Sequence, residues 1–128
     1  MIRFFNPKSI AAPVAAYTHV CEIPAGARQL VLSGQIGAKP DGTVPPDITG
    51  QAEAAWDNIA ACLAEGGMGI GDIVMVRTYV TRPENHAKVS AVRGARLGSH
   101  KPTSTGLVIQ ALARPEFLVE VEVVAAKA

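Results

Sequence analysis

The sequence predicts an α+β fold: a single mixed β-sheet with two helices packed on one face. Three observations predict it. Segments with two-residue alternation stand near both ends of the chain and in its middle. Two further stretches repeat apolar residues at three- and four-residue spacing, the period of a helix with one buried face. The order is strands, helix, strand, helix and two closing strands, with no internal repeat and no linker, so one sheet covered by two helices is the simplest packing. At 128 residues the chain buries one sizeable core, and residues 1–128 are expected to form one domain. Hydrophobic residues make up 48% and aromatic residues 5%, so that core is built mainly from Ala, Val, Ile and Leu.

In order, Ile2 to Phe5 is a short strand stopped by Asn6-Pro7, and Ser9 to Ala16, interrupted by Pro13, is a loop. Strands follow over Thr18 to Ile23 and Gln29 to Ile36. Gly34 inside the second has no side chain to pack, which marks either a bulge or a close approach by a ligand or another backbone. The apolar stripe of Ala52, Ala55, Trp56, Ile59, Ala60 and Leu63 predicts a helix from Thr49 to Glu65, with Trp56 as its packing anchor and Gln51, Glu53, Asp57 and Asn58 mostly off the stripe. Gly66 to Gly71 ends it. Those glycines come after a helix and before a strand, the reverse of a dinucleotide-binding loop.

Ile73 to Val80 is a strand rich in β-branched residues. Thr81, Pro83 and Glu84 signal a second helix, with Thr81 as its cap, running to Leu97 and closed by Gly98. The final stretch, His100 to Ala125, alternates twice. Ser104, Gly106, Val108 and Gln110 share one face of its first half, and Leu118, Glu120, Glu122 and Val124 share one face of its second. With Arg114, Pro115 and Glu116 as the turn, the two halves form a hairpin that places Glu120 on the same face as Ser104. The uncovered sheet face, carrying Val108, Val124, Ser104, Glu120 and Glu122, then calls for a homo-oligomer to bury it.

The balance of 12 Lys and Arg against 11 Asp and Glu gives a formal charge of +1 and no basic patch, so no nucleic-acid or anionic-membrane partner is expected. No segment has signal-peptide or membrane-spanning character, and a cytoplasmic location is expected. Cys21 and Cys62 are read as two buried reduced thiols. His19, His86 and His100 have no metal-ligand spacing, so no metal is expected, and the histidines are read as surface or hydrogen-bonded. No nucleophile elbow or phosphate-binding loop occurs.

Ala12-Pro13 with Tyr17, Ser33-Gly34-Gln35-Ile36-Gly37, Trp56-Asp57-Asn58-Ile59, Tyr79-Val80-Thr81, Lys101-Pro102-Thr103-Ser104-Thr105 and Val119-Glu120-Val121-Glu122 together resemble the reactive-intermediate deaminase (Rid or YjgF) family over nearly the whole chain. The resemblance implies a chorismate-mutase-like fold assembled as a barrel-like homotrimer, with small-molecule clefts between subunits and no cofactor. It implies hydrolysis of enamines or imines to a ketoacid and ammonia. By the same resemblance Glu120 is the water-positioning catalytic group, and Tyr17, Gly34, Ser90, Ser104 and Gly106 are substrate-binding positions. Ser104 stands where the family motif has an arginine that holds the substrate carboxylate, Gly106 where it has a cysteine, and Ser90 where it has an asparagine. A hydroxyl does not replace a bidentate guanidinium; Arg28 or Arg77 is a candidate source of the cation. Glu122 is expected to pair across the subunit interface with a basic residue, Arg28, Arg77 or Arg114. The expected function is binding of small carboxylate metabolites, with enamine or imine deaminase activity of altered specificity. The alternative is a non-enzymatic binding or regulatory trimer, and an endoribonuclease is a lesser one given the near-neutral charge.

Overall fold

The computed structural model describes residues 1–128. Its elements are β1 (Arg3–Phe5), β2 (Val20–Glu22), β3 (Arg28–Val31), β4 (Gln35–Ile36), α1 (Ile48–Glu65), β5 (Ile73–Val80), α2 (His86–Leu97), β6 (Thr103–Val108) and β7 (Val119–Lys127). Strands β1 and β2 form a small antiparallel ribbon, and the other five form one sheet in the order β3, β7, β5, β6, with β4 continuing β3 along β7. β7 is antiparallel to β3, β4 and β5, and β6 is parallel to β5. The sheet is therefore mixed, and both helices lie in crossovers between parallel strands.

Both helices pack on one sheet face, as the sequence predicts. A cluster of 17 buried residues joins Trp56, Ile59 and Leu63 of α1 and Val89, Val92 and Leu97 of α2 to Val76, Val80, Val119, Val121 and Val123 of the sheet. Trp56 is 1% exposed. Helix α1 begins where Asp47 accepts a hydrogen bond from the Gly50 amide at 2.9 Å. It ends where Gly67, at φ +73°, turns the chain so that the Met68 amide reaches the Leu63 carbonyl. Ahead of α2 the cap position is Arg82 rather than Thr81, and no side chain closes it; a single 3-10 turn over Pro83–Asn85 leads into the helix instead.

The expected closing hairpin does not form. β5 lies between β6 and β7 and pairs with both, Val76 with Ser104 on one side and with Val123 on the other. The apolar β5 is thereby given a neighbour on each edge, and β6 becomes an edge strand reached through α2. Residues 109–118 cross the end of β5, fixed by Ile109 N–H to the Val80 carbonyl at 2.8 Å and Thr81 N–H to the Leu118 carbonyl at 3.3 Å. Gln51 holds this crossover. It lies on the buried side of α1, 1% exposed, donating to the Pro45 and Glu116 carbonyls at 2.9 and 2.8 Å and accepting from Leu118 N–H at 2.8 Å. The expectation that Gln51 lies off the buried face is thus corrected: its amide replaces backbone partners that the crossing loop lacks.

The topology also corrects the faces. Ser104 and Gly106 sit beside Val76 and Thr78 on the helix-covered face, and Val108 beside Val80 shares it. Glu120 and Glu122 sit beside Tyr79 and Arg77 on the open face. Val31 and Leu107 are the exposed apolar side chains on the open face, 77% and 48% exposed. Cys62 is exposed rather than buried, while burial raises the pKa of the half-buried Cys21 thiol. No helix is long and apolar enough to cross a membrane.

Candidate functional site

A cavity of about 180 Å³ opens between α2, the free edge of β6 and the loop ahead of β2. Tyr17, Ser90, Ser104 and Gly106 all line it, with Thr78, His86 and Arg93. It is smaller than the roughly 300 Å³ at which pockets for drug-sized ligands begin, which suits a metabolite of few atoms. Helical spacing accounts for one wall, because His86, Ser90 and Arg93 recur at four and three residues on α2. Strand alternation accounts for the other, because Ser104 and Gly106 are two residues apart on β6. A β-carbon at Gly106 would lie 3.7 Å from His86 Cε1, an ordinary contact, so this position borders the imidazole and has room for a small side chain.

Arg93 carries the cavity's charge, and neither alternation nor the resemblance drew attention to it. Its Nη1 and Nη2 each make one long hydrogen bond, 3.4 Å, to the Ala16 carbonyl, and its Nε is buried without a partner. Burial lowers its pKa from the usual guanidinium value. The ion pairs of the chain go to Arg3, Arg77 and Arg96. The expected replacement cations lie elsewhere: Arg28 on β3 beside Gly67, and Arg77 on the open face at 3.9 Å from Glu122.

The remaining two predicted residues meet each other on the opposite sheet face. The bulge reading of Gly34 holds, and the group that comes close to it is a side chain rather than a ligand or another backbone. The register along β7 slips by one residue between Val31, opposite Val124, and Gln35, opposite Val121, which is a bulge. The close approach is made by Glu120 of the same chain: a β-carbon at Gly34 would lie 2.7 Å from Glu120 Cδ and nearer still to Oε2. The bulge thus seats the Glu120 carboxylate over a glycine. Its neighbour Glu122 accepts a short hydrogen bond from the Tyr79 hydroxyl and lies 3.9 Å from Arg77 of the same chain, where the expected partner was a basic residue across a subunit interface. That bond, then burial, then the Glu122 charge hold the Tyr79 phenol above its ordinary pKa. Glu120 has neither of those partners.

Within one chain, then, Tyr17, Ser90, Ser104 and Gly106 lie together on one side of the sheet, and Gly34 with Glu120 on the other. The shared face expected of Ser104 and Glu120 required a hairpin, and the insertion of β5 removes it. His19 and His100 are hydrogen-bonded, to the Ala11 and Ile73 carbonyls at 2.8 and 2.7 Å, whereas His86 is in the cavity. No group of three His, Cys, Asp or Glu side chains is placed to hold a metal ion.

Comparison with known proteins agrees with this architecture. Residues 8–127 match the family described as Endoribonuclease L-PSP. The chain is 30% identical over 119 residues to 2-iminobutanoate/2-iminopropanoate deaminase of Escherichia coli strain K12, covering 91% of this chain and 92% of the relative. It is 45% identical over 56 residues to the RutC family protein YjgH of the same organism, a match spanning 44% of this chain and 43% of that one. Among solved structures, the Rid-family protein YyfB of Yersinia pestis superposes with a TM-score of 0.86 at 28% identity over 98% of each chain. A profile matched along almost the whole length, a relative covered nearly end to end and the shared fold place this chain in the Rid/YjgF family.

Proposed function

We propose that this protein is a Rid-type homotrimer that binds small 2-imino or enamine acids in clefts between subunits and hydrolyses them to a ketoacid and ammonia. One observation carries the reading: the predicted binding positions fall into two half-sites on opposite faces of one chain, so a second copy must supply Gly34 and Glu120 to the cavity of the first. The free β6 edge and the exposed Val31 and Leu107 give that copy a surface to bury.

In the joined cleft, water adds to the carbon of the protonated C=N group while Glu120 accepts one of its protons, giving a neutral carbinolamine. Glu120 returns that proton to the nitrogen, and as the C–N bond breaks and ammonia leaves it takes up the hydroxyl proton, so that the carbonyl forms. No cofactor is required. Ser104 favours a second reading, a trimer that binds such ligands without turning them over, since serine offers no fixed charge for the carboxylate.

Release of 2-oxobutanoate and ammonia from freshly generated 2-iminobutanoate tests the choice. Hydrolysis well above the buffer rate, reduced about 100-fold or more in Glu120→Gln, is expected. A wild-type rate equal to buffer contradicts the deaminase reading and selects the binding one.

A further inference from the structure

We propose that Arg93 is the anion-binding residue of the cavity, gripping the carboxylate of a small 2-oxo or 2-imino acid from helix α2. This rests on the cleft reading above and adds the residue that selects its ligand.

The argument starts from a cost. A guanidinium removed from water loses hydration that only hydrogen bonds and an opposite charge restore. Arg93 has a buried Nε with no partner, only two long contacts from its terminal nitrogens, and no carboxylate in reach. Three residues further along the same helix, Arg96 has what Arg93 lacks. It pairs with Glu53 and, at 2.8 Å, with Asp57 of α1. One helix therefore carries a satisfied arginine and an unsatisfied one, and the unsatisfied one lines the cavity.

The surroundings define the missing partner. Within one chain the lining hydroxyls of Tyr17, Thr78, Ser90 and Ser104 and the His86 imidazole are hydrogen-bonding groups, and none is a carboxylate. The one carboxylate of the joined cleft, Glu120 of a second copy, acts at the C=N carbon in the reading above, which leaves Arg93 to the carboxylate of the ligand. One guanidinium matches one planar carboxylate through two parallel N–H···O bonds. A polyphosphate would need more positive charge than a single arginine supplies, and the cavity is small. Serine and glycine at 104 and 106 leave the β6 wall shallow, so a ligand reaches a cation that comes from the helix opposite.

Calorimetric titration of the intact protein with 2-oxobutanoate, and with the uncharged 2-oxobutanamide, tests the assignment. Wild type is expected to bind the acid at least about tenfold more tightly than the amide. Arg93→Met should lose about tenfold or more in affinity for the acid with little change for the amide, and Arg93→Lys should fall between, keeping the charge without the fork. If Arg93→Met does not fold by circular dichroism, the lysine variant carries the comparison, and acid binding equal to wild type in it overturns the proposal. Equal binding of acid and amide by wild type, undiminished acid binding by Arg93→Met, or no binding of the acid by wild type each overturns it as well. Acid binding that depends on Arg93 in a protein with no imine hydrolysis would overturn the deaminase reading and leave the role of Arg93 standing.

Discussion

The Glu120 carboxylate rests directly on the α-carbon of Gly34, in the space a β-carbon would occupy. Gly34 does not adopt a positive φ, so its role is room rather than backbone conformation. Gly34→Ala should therefore displace the flexible end of Glu120 at little cost to the fold. The expectation is a change in stability within about 1 kcal/mol together with a loss of at least about tenfold in imine hydrolysis. Thermal melting and the ketoacid assay on one preparation measure both. A large loss of stability with activity retained in the folded fraction would contradict this role.

Arg93 and Arg96 should respond oppositely to neutral substitution. Arg96→Met breaks the link from α2 to Glu53 and Asp57 and should cost about 1 kcal/mol, less at high salt, without affecting 2-oxobutanoate binding. Arg93→Met removes a charge that no group of the same chain compensates, so stability should hold or rise while binding falls. Urea unfolding at fixed protein concentration, alongside titration with the acid, separates the two.

Gln51 is the polar residue on which the crossing of residues 109–118 depends. Gln51→Ala leaves the Pro45 and Glu116 carbonyls and the Leu118 amide without partners and opens a void in the core. A destabilisation of about 3 kcal/mol or more is expected from unfolding curves.

Tyr79 makes stability depend on alkaline pH. Its phenol is held above its unfolded value by the bond it donates to Glu122, so the folded state keeps a proton that the unfolded chain releases first. The resulting stabilisation is complete below the unfolded tyrosine pKa of about 10 and is lost as pH rises through the folded value. Tyr79→Phe should flatten the fall in stability above about pH 10; an unchanged slope would contradict the assignment.

The α+β plan was legible because the apolar periods of α1, β5 and β7 are strong, and the limits of β5 agree with its β-branched run. The pairing of β6 and β7 was not, because alternation fixes which residues share a face within a strand and says nothing of which strand lies beside it. That gap carried Ser104 to the wrong face relative to Glu120. Gln51 was missed because a buried amide bonded to loop carbonyls looks, in a helical pattern, like a solvent-facing one. Arg93 leaves a faint sequence signal, its three-residue spacing from Ser90 on α2, but its lack of a partner is a property of three dimensions.

The central claim, that one copy supplies the cavity and another supplies Glu120, is tested most directly by mixing two defective chains. Ser104→Trp fills the cavity but leaves Glu120 intact; Glu120→Gln leaves the cavity open. Each variant alone should be inactive toward 2-iminobutanoate, and co-assembled at equal amounts they should recover about a quarter of wild-type activity, the share of sites that unite two intact halves. Mixed assemblies no more active than the separate variants would contradict a shared site.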